Sequence, residues 1–145
     1  MTTVTNAPFV IERLYNAPIA NVWKAITDKE EMKQWYFNLA EFKAEVGFEF
    51  EFSAGKDDQV YVHHCKILEV VPGKKLTYSW RYTGYEGDST VTFELFEEGK
   101  ATRLKLTHAG LETFTTTNPD FAKTSFAQGW TEIVGTSLKN FVEKG

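Results

Sequence analysis

The stretch LTYSWRYTGYEGDSTVTFELFEEGKATRLKLT, residues 76–107, alternates apolar and polar residues three times over. Leu76, Tyr78, Trp80 and Tyr82 alternate with Thr77, Ser79, Arg81 and Thr83. Val91, Phe93 and Leu95 alternate with Thr90, Thr92 and Glu94, and Thr102, Leu104 and Leu106 with Arg103, Lys105 and Thr107. A strand sends successive side chains to opposite faces, so each run has one apolar face and one wet face. Gly84 to Asp88 and Glu97-Glu98-Gly99-Lys100 separate the runs, and connections that short join only antiparallel neighbours. The stretch predicts adjacent strands of an antiparallel sheet covered on one side.

Upstream, the same period runs through Phe48, Phe50 and Phe52 against Glu49, Glu51 and Ser53, then Ala54 to Asp58 turns the chain. A long strand follows from Val60 to Val71, closed by Pro72-Gly73. At the N-terminal end, Phe9 to Asn16 reads as a strand. Pro18, suited to a first helical turn, precedes Ile19, Val22, Trp23 and Ile26 at helical spacing. Asp28 reads as the N-cap of a second short helix, with Glu31 three residues later. Downstream, Thr117-Asn118-Pro119 reads as a helix start. After it, Phe126, Trp130, Ile133, Val134, Ser137, Leu138, Phe141 and Val142 form one stripe of a helix running from Asp120 to about Lys144. At 1.5 Å per residue that helix is about 37 Å long, against roughly 26 Å for the strands. It predicts a bent sheet of about six to seven strands gripping a longer helix: an α+β fold with a mostly apolar pocket between the two layers. Gly129 and Gly135 interrupt this helix at about 1 kcal/mol each relative to Ala, so another element comes close there or a bound molecule needs the room.

The 145 residues predict a single domain, 1–145, burying roughly 70% of its unfolded surface without a metal or disulfide. Cys65 is the only cysteine, which favours a reducing compartment. MTTVTNAPFV lacks the basic cluster and apolar run of a signal peptide, and no run reaches the ~18 apolar residues of a membrane span. The expectation is a soluble, cytoplasmic protein. The net charge of −4 is interleaved, with no basic stripe for a phosphate backbone, so nucleic acid is not an expected partner. The aromatic content of 15% is high, which suits a cavity wall as well as a packed core.

Several words recur in a familiar order. They are Glu12-Arg13, Asn16-Ala17-Pro18, Val22-Trp23-Lys24-Ala25-Ile26-Thr27-Asp28 and Gln34-Trp35. Val46-Gly47, Leu68-Glu69-Val70-Val71-Pro72, Thr77-Tyr78-Ser79-Trp80, Leu106-Thr107-His108 with Gly110-Leu111, and Gly129-Trp130 continue it. From about Phe9 to Phe141 the chain resembles the activator of heat-shock-protein-90 ATPase homologue-like family of the START-related, polyketide-cyclase-like superfamily. The resemblance implies a helix-grip fold with a cavity between sheet and long helix. The superfamily includes lipid carriers, hormone receptors and aromatic cyclases.

The aromatic residues Phe50, Trp80, Tyr82, Phe93, Phe126 and Trp130 are expected to converge between sheet and helix, with His64 as a candidate polar anchor for a ligand. In His63-His64-Cys65, alternation puts His63 and Cys65 on one face and His64 on the other. Leu68 and Val70 turned inward would bring Lys66 and His64 inward too, unless a bulge shifts the register. His63 and Cys65 offer two ligands where zinc needs three or four, so no metal is expected. His108 shares the face of Leu104 and Leu106, but no acid pairs with it by spacing. No nucleophile elbow, phosphate loop or zincin motif is present, and no catalytic residue is assigned. The expected function is binding of a small apolar or amphipathic molecule, with no cofactor. One alternative is a regulator of a 90-kDa heat-shock chaperone ATPase. The other is a cyclase or dehydratase on an aromatic polyketide-like substrate, using His64, His108 and Tyr82.

Overall fold

The computed structural model describes residues 8–35, 42–56, 59–83, 87–110 and 123–144. Strand β1 (Phe9–Tyr15) leads into α1 (Ile19–Thr27) and α2 (Lys29–Trp35). Five strands follow: β2 (Glu49–Lys56), β3 (Gln59–Val71), β4 (Lys75–Tyr82), β5 (Ser89–Glu98) and β6 (Ala101–Ala109). The C-terminal helix is α-helical over Lys123–Glu132 (α3), π-helical over Ile133–Leu138, and α-helical again over Lys139–Lys144 (α4). The expected helix start at Thr117-Asn118-Pro119 and residues 84–86 of the expected turn lie outside the described residues.

The six strands form one curved antiparallel sheet in the order β1-β6-β5-β4-β3-β2. Alternation decides the inner face as the sequence predicted. Leu76, Tyr78, Trp80 and Tyr82 are buried on β4, Val91, Phe93 and Leu95 on β5, and Leu104 and Leu106 on β6. α1 buries Val22, Ala25 and Ile26 and lies against β5 and β6. The C-terminal helix follows the sheet's β1 side and meets α1 and α2. Asp28 serves two helices at once. Its N–H closes α1 on the Lys24 carbonyl at 2.9 Å, and its Oδ1 accepts from Glu30 N–H at 2.9 Å and Glu31 N–H at 3.4 Å.

Two features depart from the regular pattern. β3 is bulged: its register against β4 shifts between Ile67 and Glu69. Leu68 is the residue displaced, and it is 44% exposed rather than inward. Before the bulge, Tyr61, His63, Cys65 and Ile67 are buried, so His64 and Lys66 point outward. The second departure is the π-helical stretch in the gripped helix. The Tyr15 hydroxyl donates to the Val134 carbonyl within it at 2.7 Å. Side chains that enter a helix's hydrogen-bond ladder are a recognised cause of such irregularity.

Candidate functional site

The inner face carries a continuous set of rings. On β2, Phe50 and Phe52 sit 6.4 Å apart, and Phe52 stacks on His63 of β3 at 4.5 Å. Trp80 of β4 stands edge-on to Phe52 at 5.7 Å and to His63 at 5.0 Å. Across the layer gap, Trp130 of α3 is 5.4 Å from Trp80 and 6.2 Å from Phe93. Phe126, one turn earlier, meets His108 at 5.1 Å. Period two on the strands and 3.6 on the helix bring these residues onto facing surfaces. Phe50, Trp80, Tyr82, Phe93, Phe126 and Trp130 therefore stand together on the sheet–helix interior, all buried.

His64 does not join them. It faces the outside of the sheet, with Nε2 2.9 Å from Glu49 Oε1 and Nδ1 3.4 Å from Arg81 Nε. The bulge at Leu68 is the physical reason, since it lets Val70 turn toward the core without carrying Lys66 and His64 inward. The inward histidine of this strand is His63, whose Nδ1 donates to the Tyr61 carbonyl at 3.0 Å. Burial depresses its pKa to about 4 despite that bond and one to the Phe52 backbone, so the ring is neutral at pH 7.

His108 is locked in a chain of four groups. The Trp130 indole N–H, which can only donate, points at His108 Nδ1 at 2.9 Å. Nδ1 is therefore the acceptor, and Nε2 carries the proton and donates to Ser89 Oγ at 2.8 Å. The Ser89 hydroxyl then donates to the Trp80 carbonyl at 2.9 Å. Burial depresses the His108 pKa to about 3. A neutral ring with both nitrogens engaged ties β4, β5, β6 and α3 together. It has neither a free lone pair nor a proton to offer a substrate. The sequence had marked His108 but not Ser89, although Ser89 lies two residues before Val91 and so on the same inner face.

The indole tips of Trp130 and Trp80 are both satisfied within the cluster. Trp80 Nε1–H donates to the Tyr82 hydroxyl at 3.0 Å. Among the described residues no buried side-chain nitrogen or oxygen lacks a partner. Cys65 is fully buried, and desolvation pushes its thiol pKa well up, so it behaves as a small apolar residue. His64, His108 and Tyr82 are not gathered at one point, because His64 is on the opposite face of the sheet. Of the two helix glycines, Gly129 is exposed, with nothing within 4 Å of where a Cβ would stand, so nothing approaches it closely. At Gly135 a Cβ would stand 3.3 Å from Arg13 Nε, and there the expected close approach is present.

No described helix is long and apolar enough to cross a membrane. No curated protein matches the sequence. Solved structures do. Protein CV1439 of Chromobacterium violaceum has a TM-score of 0.76 at 24% identity, covering 94% of this chain and 96% of that one. Protein MLL2253 of Mesorhizobium loti has a TM-score of 0.71 at 27% identity, covering 95% of each chain. DynU16, of the dynemicin biosynthetic locus, has a TM-score of 0.77 at 22% identity, and the match covers 95% of this chain but 48% of that one. These likenesses agree with the six-stranded sheet and the C-terminal helix built above. A family model aligns with residues 16–143, nearly the whole of that architecture, and the chain belongs to the family described as activator of Hsp90 ATPase homolog 1-like proteins.

Proposed function

We propose that this chain, as one domain spanning 1–145, binds a small apolar or amphipathic molecule between the inner face of the sheet and the C-terminal helix, in the cytoplasm. The observation that supports the reading is the facing set of rings from β2, β3, β4 and α3, with both imidazoles in it neutral. A surface of that composition favours uncharged aliphatic or planar matter, with a few hydrogen-bonding tips to orient it. A screen of fatty acids, sterols and aromatic polyketides by thermal shift and native mass spectrometry tests it. Ligand at 100 times its Kd raises stability by about 2.7 kcal/mol, a readily measured shift. A midpoint that moves with none of the three classes, and no retained mass, refutes the reading.

The family match supports a second reading, regulation of a 90-kDa heat-shock chaperone through a surface of the domain. It predicts raised ATP turnover by the chaperone at micromolar concentrations of this protein. Unchanged turnover, with no co-purification, removes it.

A further inference from the structure

The outward face of the sheet is ordered in rows, as the inner one is. Across β1, β6, β5 and β4 the register sets Glu12 beside Lys105, Lys105 beside Glu94, and Glu94 beside Lys75. Charge therefore alternates over four neighbouring strands. Along one side of this row Leu14 and Phe96 flank Arg103, and both are large apolar side chains left exposed. Along the other side Thr107 stands beside Thr92. Opposite charges set directly across two strands commonly pair. Those at the centre of the row do not. Among the described residues neither Lys105 nor Glu94 has an ion-pair partner, whereas Lys75 lies 3.1 Å from Glu69 and Glu12 3.9 Å from Arg103.

The alternation is self-complementary only about an axis that runs along the strands and between two of them. A two-fold axis lying across the strands sets each charge on its own copy, like on like. An axis lying on β5 sets Lys105 on Lys75 and Glu94 on itself. An axis midway between β5 and β6 exchanges those two strands and exchanges β4 with β1. Glu12 then faces Lys75 of the second copy and Lys105 faces Glu94, each contact made twice. The same axis lays the Arg103 guanidinium on the Phe96 ring of the second copy, a cation on an aromatic face. Thr107 meets Thr92, two short side chains that let the sheets approach. Sheets stacked face to face keep their strands within about 30° of one another, as this axis does.

We propose that the outward face of β1, β6, β5 and β4 is a dimer interface, and that its occupant is a second copy of this chain related by that axis. Four strands about 4.8 Å apart and some 20 Å of their length make roughly 400 Å² of plain sheet per copy. Stable complexes bury about 800 Å² per partner, so the dimer is weak and reversible, with a Kd on the order of tens of micromolar. The inner face stays free, and the inference is independent of any ligand there.

Sedimentation equilibrium of the full chain up to 500 µM, at 50 and 500 mM NaCl, tests it. The proteins are wild type, Lys105→Glu, Phe96→Ser, and the exchange Glu94→Lys with Lys105→Glu. Wild type is expected to dimerise, about tenfold more weakly at the higher salt. Lys105→Glu sets acid on acid twice across the axis and is expected to weaken association by about tenfold or more. The exchange restores opposite pairing and is expected to recover the wild-type Kd. Phe96→Ser alters an exposed position, so it is expected to keep the thermal midpoint while weakening association about tenfold, which separates loss of the interface from loss of fold. A monomer at every concentration, a dimer indifferent to Lys105→Glu or Phe96→Ser, or an exchange that fails to rescue overturns the assignment. A monomer that binds a 90-kDa heat-shock chaperone, and loses that binding in Lys105→Glu, also overturns it and gives the face to the chaperone.

Discussion

The Tyr15 hydroxyl donates to the Val134 carbonyl at 2.7 Å, joining the edge strand β1 to the irregular turn of the helix it lies beside. Tyr15 is completely buried, and burial pushes its pKa well above the ordinary phenol value, so it remains a donor throughout the accessible pH range. The bond secures the helix at the point where its own ladder is widest, one residue from the glycine that faces Arg13.

Tyr15→Phe keeps the ring and removes the donor, leaving a buried carbonyl short of a partner. The expected loss is about 1–3 kcal/mol in urea unfolding. A variant as stable as wild type would show that the π-helical stretch closes without this bond.

Ser89→Ala is expected to cost a similar amount, about 1–3 kcal/mol, because it strands both the His108 Nε2–H and the Trp80 carbonyl. Near-ultraviolet circular dichroism is the sharper measurement, since Trp80 and Trp130 both sit on this chain of bonds. An unchanged aromatic spectrum with unchanged stability would refute the structural role.

Acid is expected to destabilise the fold from about pH 6.5 downward, through two buried histidines. His63 and His108 have folded pKa values depressed to about 4 and about 3, below the 6.5 of an unfolded histidine. Below pH 6.5 the unfolded chain therefore takes up protons that the folded chain refuses. The contribution of both rings is complete above that value and is lost as the pH falls. Each contributes a slope approaching about 1.4 kcal/mol per pH unit near pH 5. Urea midpoints at pH 7.5, 6.0 and 5.0 read it directly, and a flat profile across that window would contradict the buried neutral assignment.

Two glycines with opposite surroundings predict opposite outcomes. Gly110 has φ +86°, and a Cβ there would stand 2.9 Å from the Asp88 carbonyl oxygen, beside Ser89. Gly110→Ala is expected to cost about 2 kcal/mol or more, through strain and the displaced backbone. Gly129 is exposed in a helix with open space around it, so Gly129→Ala is expected to stabilise by about 0.5–1 kcal/mol. Thermal unfolding of the pair decides, and a destabilised Gly129→Ala would reveal a contact that the helix surface does not show.

Much of this protein was determined by local pattern. Phe50 and Phe52, the Leu76–Tyr82 run, Val91 to Leu95 and Leu104 to Leu106 alternate strictly, so their inner face was legible residue by residue. The stripe through Phe126 and Trp130 named the helix that covers them. Pattern failed where a geometry depends on a partner far along the chain. The sequence offered both readings of β3, a bulge or His64 at the cavity mouth. Only the pairing with β4 places the displaced residue at Leu68 and so turns His63 inward and His64 out. The π-helical turn, the Tyr15–Val134 bond across 119 positions and the Arg13 edge over Gly135 likewise have no local signature. Alternation is a property of one strand's backbone, whereas register, tautomer and counter-ion are decided by whichever atoms tertiary packing places opposite.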